Sequence, residues 1–469
     1  IQSDPSSGYF IEGFIDDDEE KQNKRISGVK VLGPLNELPS WIEKTQATDV
    51  IIAIPSPPGE LVKKVIELSR PYNISPQIIS NFKMGGEFQK NIELSRQINL
   101  NDLLSRHPAQ IDLTAIHKLI KEKVVLVTGA GGSIGSELAR QVLQNEPQKL
   151  LLLDHSEYNL YKIDKELRIS ANDVHRIVPL LIDIKDKSSL QLVFQEHLPD
   201  IVFHAAAYKH VHLVESNPFS AILNNICGTK NLLDLSLSLE RFVLISTDKA
   251  VNPAGIMGAT KRVCELLTSA YAKKYQKNFC SVRFGNVLGS SGSLIPLLQK
   301  QIEEGGPITI THKDMTRYFM LIPEAVSLVL MAATIASPGD INVLKMGEPV
   351  KILDIAKNLI TLMGKKEDEI EILFTGLRPG EKMFEELYIR GDELQTEHPD
   401  VLVLPNGDRQ WMNFEKEFKT LCEKVEKMIS AAQKGDKSAI ILLNEIVKSN
   451  YNKPMPAGSI LGNINSKDC

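Results

Sequence analysis

From Lys123 onward, apolar strand-like runs alternate with amphipathic segments, and this alternation constrains the fold more than any other feature of the sequence. The runs VVLVTG, LLLLDHSE, IVPLLIDI, DIVFHAAA and RFVLIST are typical of strands that are buried on both faces of a sheet. Strands that alternate with helices in this way form parallel sheets with helices on both faces. The predicted fold class is therefore α/β, with a doubly wound parallel sheet.

The chain has 469 residues, of which 42% are hydrophobic, so it is long enough for two or more buried cores. The alternation is looser after Pro296, which predicts a smaller substrate-binding region. We predict a small N-terminal α/β domain, a linker, a catalytic domain and a helical C-terminal extension. Their predicted bounds are 1–98, 99–122, 123–395 and 396–469.

The N-terminal segment has strand patterns at Phe10–Ile15 and Val50–Pro55 and a helical pattern at Gly59–Arg70. It contains no glycine-rich phosphate loop, so we expect a structural or regulatory role there. The chain begins at Ile1, in a strand-like segment, and we expect further sequence upstream. At the other end, Asn413–Ser449 is rich in Lys and Glu and is predicted to be helical with a solvated face.

The composition argues against several classes of partner. Lys and Arg number 54 against 59 Asp and Glu, a net charge of -5, so we expect no nucleic-acid partner, which would need a basic face. No apolar run is long enough to cross a bilayer. The five cysteines lack the spacing of a zinc site or a disulfide framework, which predicts no metal and a reducing, cytoplasmic compartment. These cysteines are Cys227, Cys264, Cys280, Cys422 and Cys469.

A glycine-rich turn follows the first strand of the alternating region and opens a helix. Gly129, Gly132 and Gly135 would permit a tight turn, so that a pyrophosphate can bind at the helix N-terminus. Asp154 ends the next strand, where a carboxylate can accept hydrogen bonds from the adenosine ribose and repel a 2′-phosphate. The spacing therefore predicts a Rossmann-type site for NAD rather than NADP. The other predicted cofactor contacts are Ser133, Ile134, Asp183, Ile184, Ala205 and Ala206, of which the last four could instead serve sheet packing.

The segment LISTDKAVNPAGIMGATKR, Leu244 to Arg262, resembles the extended short-chain dehydrogenase/reductase family. In that family a Ser or Thr at a strand end and a Tyr-x3-Lys motif surround the nicotinamide. Lys261 stands at the lysine position, where the resemblance implies a contact with the nicotinamide ribose. Met257 stands at the tyrosine position and has no proton to exchange.

Four further stretches narrow the resemblance: the pair Asp248-Lys249, RFGNVLGSSGSLIP, TRYFMLIPEA and GLRPGEK. Together they resemble the polysaccharide-biosynthesis branch of membrane-linked UDP-N-acetylglucosamine 4,6-dehydratases, whose large members carry methionine in place of the tyrosine. The resemblance covers about Gly8 to Arg390. It implies a truncated Rossmann-like N-terminal domain, an inner-membrane parent protein with a cytoplasmic catalytic region, a homo-oligomer, and a product for surface glycans or protein glycosylation that retains its C5 configuration.

The resemblance also implies roles for single residues. Asp248 is expected to protonate the leaving C6 hydroxyl, and Lys249 to remove the C5 proton as a neutral amine. Burial and the nearby cation Lys261 are expected to lower the pKa of Lys249. Thr247 is expected to orient the C4 hydroxyl, whose proton acceptor is either Asp248 or a neutral Lys261. The residues expected to bind the UDP-sugar are Lys209, His210, Asn286, Ser291, Arg317, Arg378 and Glu381.

Four other interpretations stay open from the sequence alone. A UDP-sugar 4-epimerase shares the fold and the cofactor but eliminates no water. A catalytically silent NAD or UDP-sugar sensor would also explain Met257. Asp248 and Lys249 could be a simple surface ion pair, and Arg283 a buried ion-pair partner.

Overall fold

The structure is a computed structural model, and it describes residues 10–54, 57–79, 95–98, 102, 111–171, 173–388, 393–404 and 413–449. The chain forms two compact units, each assembled from several stretches of sequence. The smaller unit comprises 1–108, 298–309 and 353–373, and the larger comprises 109–297, 310–352 and 374–469. The predicted four-segment division stays a prediction.

The larger unit contains a sheet of nine strands among the described residues. Seven are parallel, and two antiparallel strands complete one edge. From that edge, the order is Leu394–Gln395, Val401–Leu404, Ile341–Leu344, Asn278–Arg283, Arg241–Ile245, Ile201–His204, Val124–Thr128, Lys149–Asp154 and Ile177–Leu181. The chain order reverses beside Val124–Thr128, so the predicted doubly wound parallel sheet is confirmed.

Helices cover both faces of this sheet because its strands are apolar on both sides. Val125 and Val127 pack into one buried cluster, whereas Val124 and Leu126 pack into the other. The helices of the first face are Leu113–Ile120, Ser133–Gln144, Glu157–Ser170 and Ile322–Ile335. Those of the second are Lys187–His197, Gly228–Leu235, Ile256–Tyr275, Phe414–Gln433 and Ser438–Lys448.

Two segments contribute more to the larger unit than the sequence predicted. Within the predicted linker, Leu113–Ile120 is helical because Asp112 caps it, accepting from the Thr114 and Ala115 backbone N–H groups at 2.9 and 3.1 Å. The C-terminal stretch forms the predicted helices, and its apolar side also enters the second buried cluster. No helix among the described residues is long and apolar enough to cross a membrane.

Short elements complete the larger unit. Strand Asn286–Leu288 pairs with Phe319–Leu321, and strand Thr316–Arg317 pairs with Val350–Lys351. Helices Val211–Ser216 and Pro218–Ala221 lead through a π-helical turn, Ile222–Cys227, into the second face.

The smaller unit contains two small sheets. One consists of Phe14–Ile15, Arg25–Ile26 and Val29–Gly33, and the other of Ile51–Ile52, Gln77–Ile79 and Ser95–Gln97. Helices Leu38–Thr45 and Gly59–Ser69 accompany them, and Ile352–Leu362 lies mostly in this unit. The two predicted strands are therefore present but short, and Pro55 lies outside the described residues.

Candidate active site

The glycine-rich turn brings three backbone segments into close approach. Gly129 has a φ of +66°, and a Cβ there would lie 2.8 Å from the Ala206 backbone. A Cβ on Gly135 would lie 1.9 Å from the Gly129 carbonyl oxygen. Gly132 is the N-cap of helix Ser133–Gln144. The turn is thus packed against the backbone that follows strand Ile201–His204. Because the three residues are glycines, no side chain from them covers the helix N-terminus.

Asp154 lies beside this turn at the end of its strand and is almost fully buried. Its Oδ2 accepts from the Gly131 backbone N–H at 2.9 Å, and its Oδ1 accepts from that of Ser156 at 2.9 Å. The sequence prediction missed Gly131, where a Cβ would lie 2.5 Å from Asn159 Cβ. The carboxylate predicted to meet the ribose is therefore held at the glycine turn.

Two further residues with predicted cofactor contacts, Asp183 and Ile184, have different surroundings. Asp183 follows the next strand and is partly exposed, and its Oδ1 accepts from the Lys185 backbone N–H at 2.9 Å. Ile184 is buried against Gly228, where a Cβ would lie 2.4 Å from the Ile184 side chain. Asp183 can therefore face a ligand, and the Ile184 side chain packs against Gly228, while the cofactor contacts of both residues stay predictions.

His204 links the ends of two neighbouring strands, Ile201–His204 and Val124–Thr128, where the strand order reverses. Thr229 Oγ1 donates to the Asn225 carbonyl oxygen at 2.6 Å, so it accepts from His204 Nε2 at 2.9 Å. His204 Nδ1 then accepts from Thr128 Oγ1 at 2.7 Å. Burial, with a contribution from Lys261, lowers the pKa of His204 to about 3. His204 is therefore a neutral, structural imidazole.

Thr247, Asp248 and Lys249 come directly after the strand Arg241–Ile245, and their side chains are in contact. Asp248 is fully buried, and its Oδ1 accepts from Thr247 Oγ1 at 2.8 Å and from Lys249 Nζ at 2.9 Å. Its Oδ2 is buried without a hydrogen-bond partner among the described residues. Lys249 Nζ also donates to Asn286 Oδ1 at 3.1 Å. This pair is therefore not a simple surface ion pair.

The prediction that Lys249 has a lowered pKa is wrong for this structure. Burial does lower the pKa of Lys249, but the carboxylates of Asp248 and Glu385 outweigh burial, and the net shift is upward. The ammonium lies 2.9 Å from Asp248 Oδ1 and 3.7 Å from Glu385 Oε1. Sequence reasoning considered only the cation Lys261 and burial, so it missed the second carboxylate.

Met257 and Lys261 lie one turn apart on the helix Ile256–Tyr275. Met257 is buried against Val214 and Ala221, and it lines a cavity that Lys249 also lines. Lys261 is buried, and burial lowers its pKa, as the prediction of a neutral Lys261 requires. The helix thus places Met257 at the cavity that Lys249 lines, and it keeps Lys261 buried one turn further along.

The same cavity is lined by acidic and basic residues that the sequence prediction did not single out: Glu215, Lys382 and Glu385. Glu215 Oε1 accepts from the Ile256 backbone N–H at 2.6 Å, so it holds the start of the helix that carries Met257. Lys382 Nζ donates to the Val251 carbonyl oxygen at 2.9 Å. Lys382 is the last residue of the motif GLRPGEK, and Glu385 lies three residues after it. No spacing pattern in the sequence marked either residue as part of the site.

The predicted substrate residues have different surroundings. Arg317 is buried, and its guanidinium donates to three backbone carbonyl oxygens, those of Thr316, Lys382 and Met383. Arg378 is exposed, and its backbone N–H donates to Glu381 Oε2 at 3.3 Å. Arg317 thus fixes the GLRPGEK segment, and its contact with a diphosphate stays a prediction, as do those of Arg378 and Glu381.

Two loops that carry predicted ligand contacts meet at the glycine turn. The Ser291 backbone N–H donates to Ser133 Oγ at 3.0 Å, which joins the loop after Asn286 to the predicted cofactor site. A Cβ on Gly292 would lie 2.8 Å from His210 Cε1. Lys209, which precedes His210 in the chain, is exposed. The structure therefore brings together Ser133, Ser291 and His210.

Arg283 is a buried ion-pair partner, as one interpretation of the sequence expected. Its Nε and Nη2 donate to the two carboxylate oxygens of Glu265, both at 2.7 Å. Burial raises the pKa of Glu265, but Arg283 and Arg262 outweigh it, so the net shift is downward. Ser246 Oγ donates to the same carboxylate at 2.6 Å. This network supports the strand that ends at the Asp248 and Lys249 pair.

Comparison with known proteins gives a consistent result. A family model described as "Polysaccharide biosynthesis protein" matches residues 125–406. The "Capsular polysaccharide biosynthesis protein CapD" of Staphylococcus aureus is 47% identical over 80% of this chain. The "Probable polysaccharide biosynthesis protein EpsC" of Bacillus subtilis is 43% identical over 87% of it. The chain spans 63% of the length of CapD and 70% of that of EpsC.

Solved structures are similar in the sheet-containing region. Pen from Bacillus thuringiensis is 35% identical with a TM-score of 0.56, covering 63% of this chain and 90% of Pen. DesIV, a dTDP-glucose 4,6-dehydratase from Streptomyces venezuelae solved with NAD and DAU, is 22% identical with a TM-score of 0.50. That match covers 56% of this chain and 88% of DesIV and concerns the fold alone. Both agree with the predicted extended short-chain dehydrogenase/reductase fold.

Proposed function

Because the chain belongs to the polysaccharide biosynthesis protein family, we propose that it is an NAD-dependent 4,6-dehydratase of UDP-N-acetylglucosamine. The observation that carries the proposal is the buried contact between Asp248 Oδ1 and Lys249 Nζ, beside a cavity that Lys249 and Met257 line. An adjacent acid and base suit an elimination, whereas simple oxidation needs only one proton acceptor.

The glycine turn fits NAD by its shape. Any side chain at Gly129 or Gly135 would collide with backbone, so the turn leaves room where a pyrophosphate would lie at the start of helix Ser133–Gln144. Asp154 would accept from the adenosine ribose hydroxyls, and its charge disfavours a 2′-phosphate. NAD bound here would supply reversible hydride transfer, from C4 of the sugar and back to C6.

The elimination then follows from this chain's own groups. A ketone at C4 makes the C5 proton acidic, and Lys249 removes that proton as a neutral amine. Asp248 accepts the proton of the C4 hydroxyl during the oxidation and then gives it to the C6 hydroxyl, which leaves as water. The Oδ2 atom of Asp248 suits this step, because Oδ1 already accepts two hydrogen bonds and Oδ2 has no partner among the described residues. Thr247 would orient the C4 hydroxyl.

The direct test is incubation of the purified protein with UDP-N-acetylglucosamine, followed by mass spectrometry and NMR of the product. We expect a product lighter by one water, with the C5 configuration retained. A product of unchanged mass would make the protein an epimerase, and an unchanged substrate that still binds would make it a sensor. Attachment of the parent protein to a membrane and the final glycan stay predictions.

A further inference from the structure

Glu385 is a buried carboxylate with a free oxygen in the candidate active site. Its side chain is only 3% exposed, and Oε1 lies 3.7 Å from Lys249 Nζ and 3.9 Å from Arg317 Nε. Oε2 has no hydrogen-bond partner among the described residues. Leaving a buried carboxylate oxygen without a partner is costly, so its position calls for an explanation.

An interaction with Arg317 does not explain why the carboxylate of Glu385 is buried. The distance of 3.9 Å to Arg317 Nε exceeds that of a hydrogen bond. Arg317 is already fixed by three backbone carbonyl oxygens, and two of these bonds are 2.7 and 2.8 Å long. The side chain of Glu385 instead extends into the cavity that Lys249 and Met257 line.

The proposed reaction creates a proton problem at Lys249. In the structure its ammonium is stabilised by two carboxylates, whereas a base at C5 must first lose a proton. Asp248 cannot also take this proton, because in the proposed reaction it takes the proton of the C4 hydroxyl and passes it to the C6 hydroxyl. Among the described residues, Glu385 is the other carboxylate within 4.0 Å of Lys249 Nζ.

We propose that Glu385 accepts the proton of Lys249 once substrate has excluded water from the site, which leaves Lys249 as the neutral amine. The two groups, 3.7 Å apart in the structure, must first close to hydrogen-bond distance. An N–H bond of Lys249 then breaks and an O–H bond forms on Glu385, so an ion pair becomes a neutral pair. Loss of water favours this change, because a buried neutral pair avoids the desolvation cost of two charges. Glu385 acts through Lys249 and is therefore a positioning residue. The inference rests on the proposed function.

The charged groups around Glu385 are consistent with this role. Burial, reinforced by Asp248, raises the pKa of Glu385 although Lys249, Arg317 and Lys382 act in the opposite direction. Its carboxyl group is thus easier to protonate than an ordinary glutamate, despite three neighbouring cations. The neighbour Glu386 is exposed and bonds to Asn252 Nδ2 at 3.0 Å, which makes it a matched control.

The first test compares the pH profiles of turnover for the wild type, Glu385→Gln and Glu386→Gln. In the wild type the shared proton stays within the pair, so turnover should be flat around neutral pH. In Glu385→Gln the proton of Lys249 must go to solvent, so turnover at pH 7 should fall by about 10²-fold and then rise about tenfold per pH unit. Glu386→Gln should match the wild type. A uniform loss in Glu385→Gln without the new slope would overturn the proposal.

The second test needs no substrate and separates this inference from the proposed function. Competitive labelling with acetic anhydride, read by mass spectrometry, gives the pH midpoint at which Lys249 becomes reactive. Glu385→Gln should lower that midpoint, because it removes a carboxylate that raises the pKa of Lys249. Glu385→Asp should restore both the midpoint and the flat profile in large part. An unchanged midpoint in Glu385→Gln would overturn the proposal, whereas a shifted midpoint in a protein that makes no dehydrated product would show that Glu385 controls the charge of Lys249 and would refute the dehydratase function.

Discussion

Asp248 and Lys249 are in contact, but the proposed reaction gives them different roles as acid and base. Substituting one residue at a time tests each role. Asp248→Asn keeps the size of the side chain and loses the transferable proton, so dehydration should fall by about 10²–10⁴-fold. Exchange of the C5 proton with deuterated solvent should fall with it, because the C4 ketone that makes this proton acidic forms slowly. Lys249→Met should abolish exchange and dehydration but still form some NADH, because Asp248 is intact. Product mass, deuterium content and NADH absorbance measure the three steps.

The outcome is informative even if both variants are impaired. Circular dichroism and thermal unfolding show whether each variant still folds. If both keep near-native dehydration, the acid and base lie elsewhere in the chain. If Lys249→Met still exchanges the C5 proton at the wild-type rate, the base is another group.

His204 predicts a specific pH dependence of stability. Its pKa is about 3 in the folded protein against 6.5 as the ordinary value, so the unfolded chain binds a proton that the folded protein refuses. The stabilisation that neutral His204 provides is thus complete above pH 6.5 and is lost as pH falls, by about 1.4 kcal/mol per unit. His204→Gln should be less stable at pH 7 but should lose less stability between pH 7 and pH 5. Urea unfolding at the two pH values measures this, and parallel losses would contradict it.

For single residues, the sequence predicted which side chains are in contact better than it predicted the pKa of Lys249. The adjacency of Asp248 and Lys249 is visible in the sequence, and their contact follows from it. Glu385 is more than a hundred positions away and reaches Lys249 only through the fold, so the direction of the Lys249 pKa shift could not be predicted. Arg317 was expected at a diphosphate because it is basic, whereas the structure shows three backbone carbonyl oxygens around its guanidinium.

At the scale of elements, the turn and helix at Gly129 to Gln144 depend on backbone contact. A Cβ at Gly135 would lie 1.9 Å from the Gly129 oxygen, whereas one at Gly132 would lie 3.2 Å from it. Gly135→Ala should therefore force the turn away from the helix and lower stability by about 1–3 kcal/mol. Gly132→Ala should cost clearly less. Urea unfolding of the two variants gives the comparison, and equal losses would show that the close approach is not limiting.

Elements were predictable where one local signal decided them. The strand patterns from Lys123 onward all became strands of one sheet, because runs apolar on both faces have few alternatives. Helix Leu113–Ile120 was assigned to a linker, although Asp112 is a good N-cap and Ile116 and Ile120 are spaced to be buried on one face. Its packing against the sheet needed tertiary information.

At the scale of the whole molecule, the C-terminal helices are part of the core that supports the candidate active site. Helices Ile256–Tyr275 and Ser438–Lys448 contribute to the same buried cluster, and Leu443 in the second helix is fully buried. The sequence pattern predicted a helix with a solvated face, and it could not show which surface the other face covers. The C-terminal helices therefore belong to the hydrophobic core of the larger unit.

This packing predicts a contrast between two positions two residues apart in one helix. Leu443→Ala removes a fully buried side chain and should lower stability by about 2–5 kcal/mol, because a cavity forms beside the helix that carries Met257 and Lys261. Ile441 is 53% exposed, so Ile441→Ala should change stability by about 0.5 kcal/mol or less. Thermal unfolding measures the two effects, and turnover per folded molecule at 25 °C should stay near wild type in both variants. Equal stability of the two variants would mean that the C-terminal helices do not support the core, and the catalytic region would then end before Asn413.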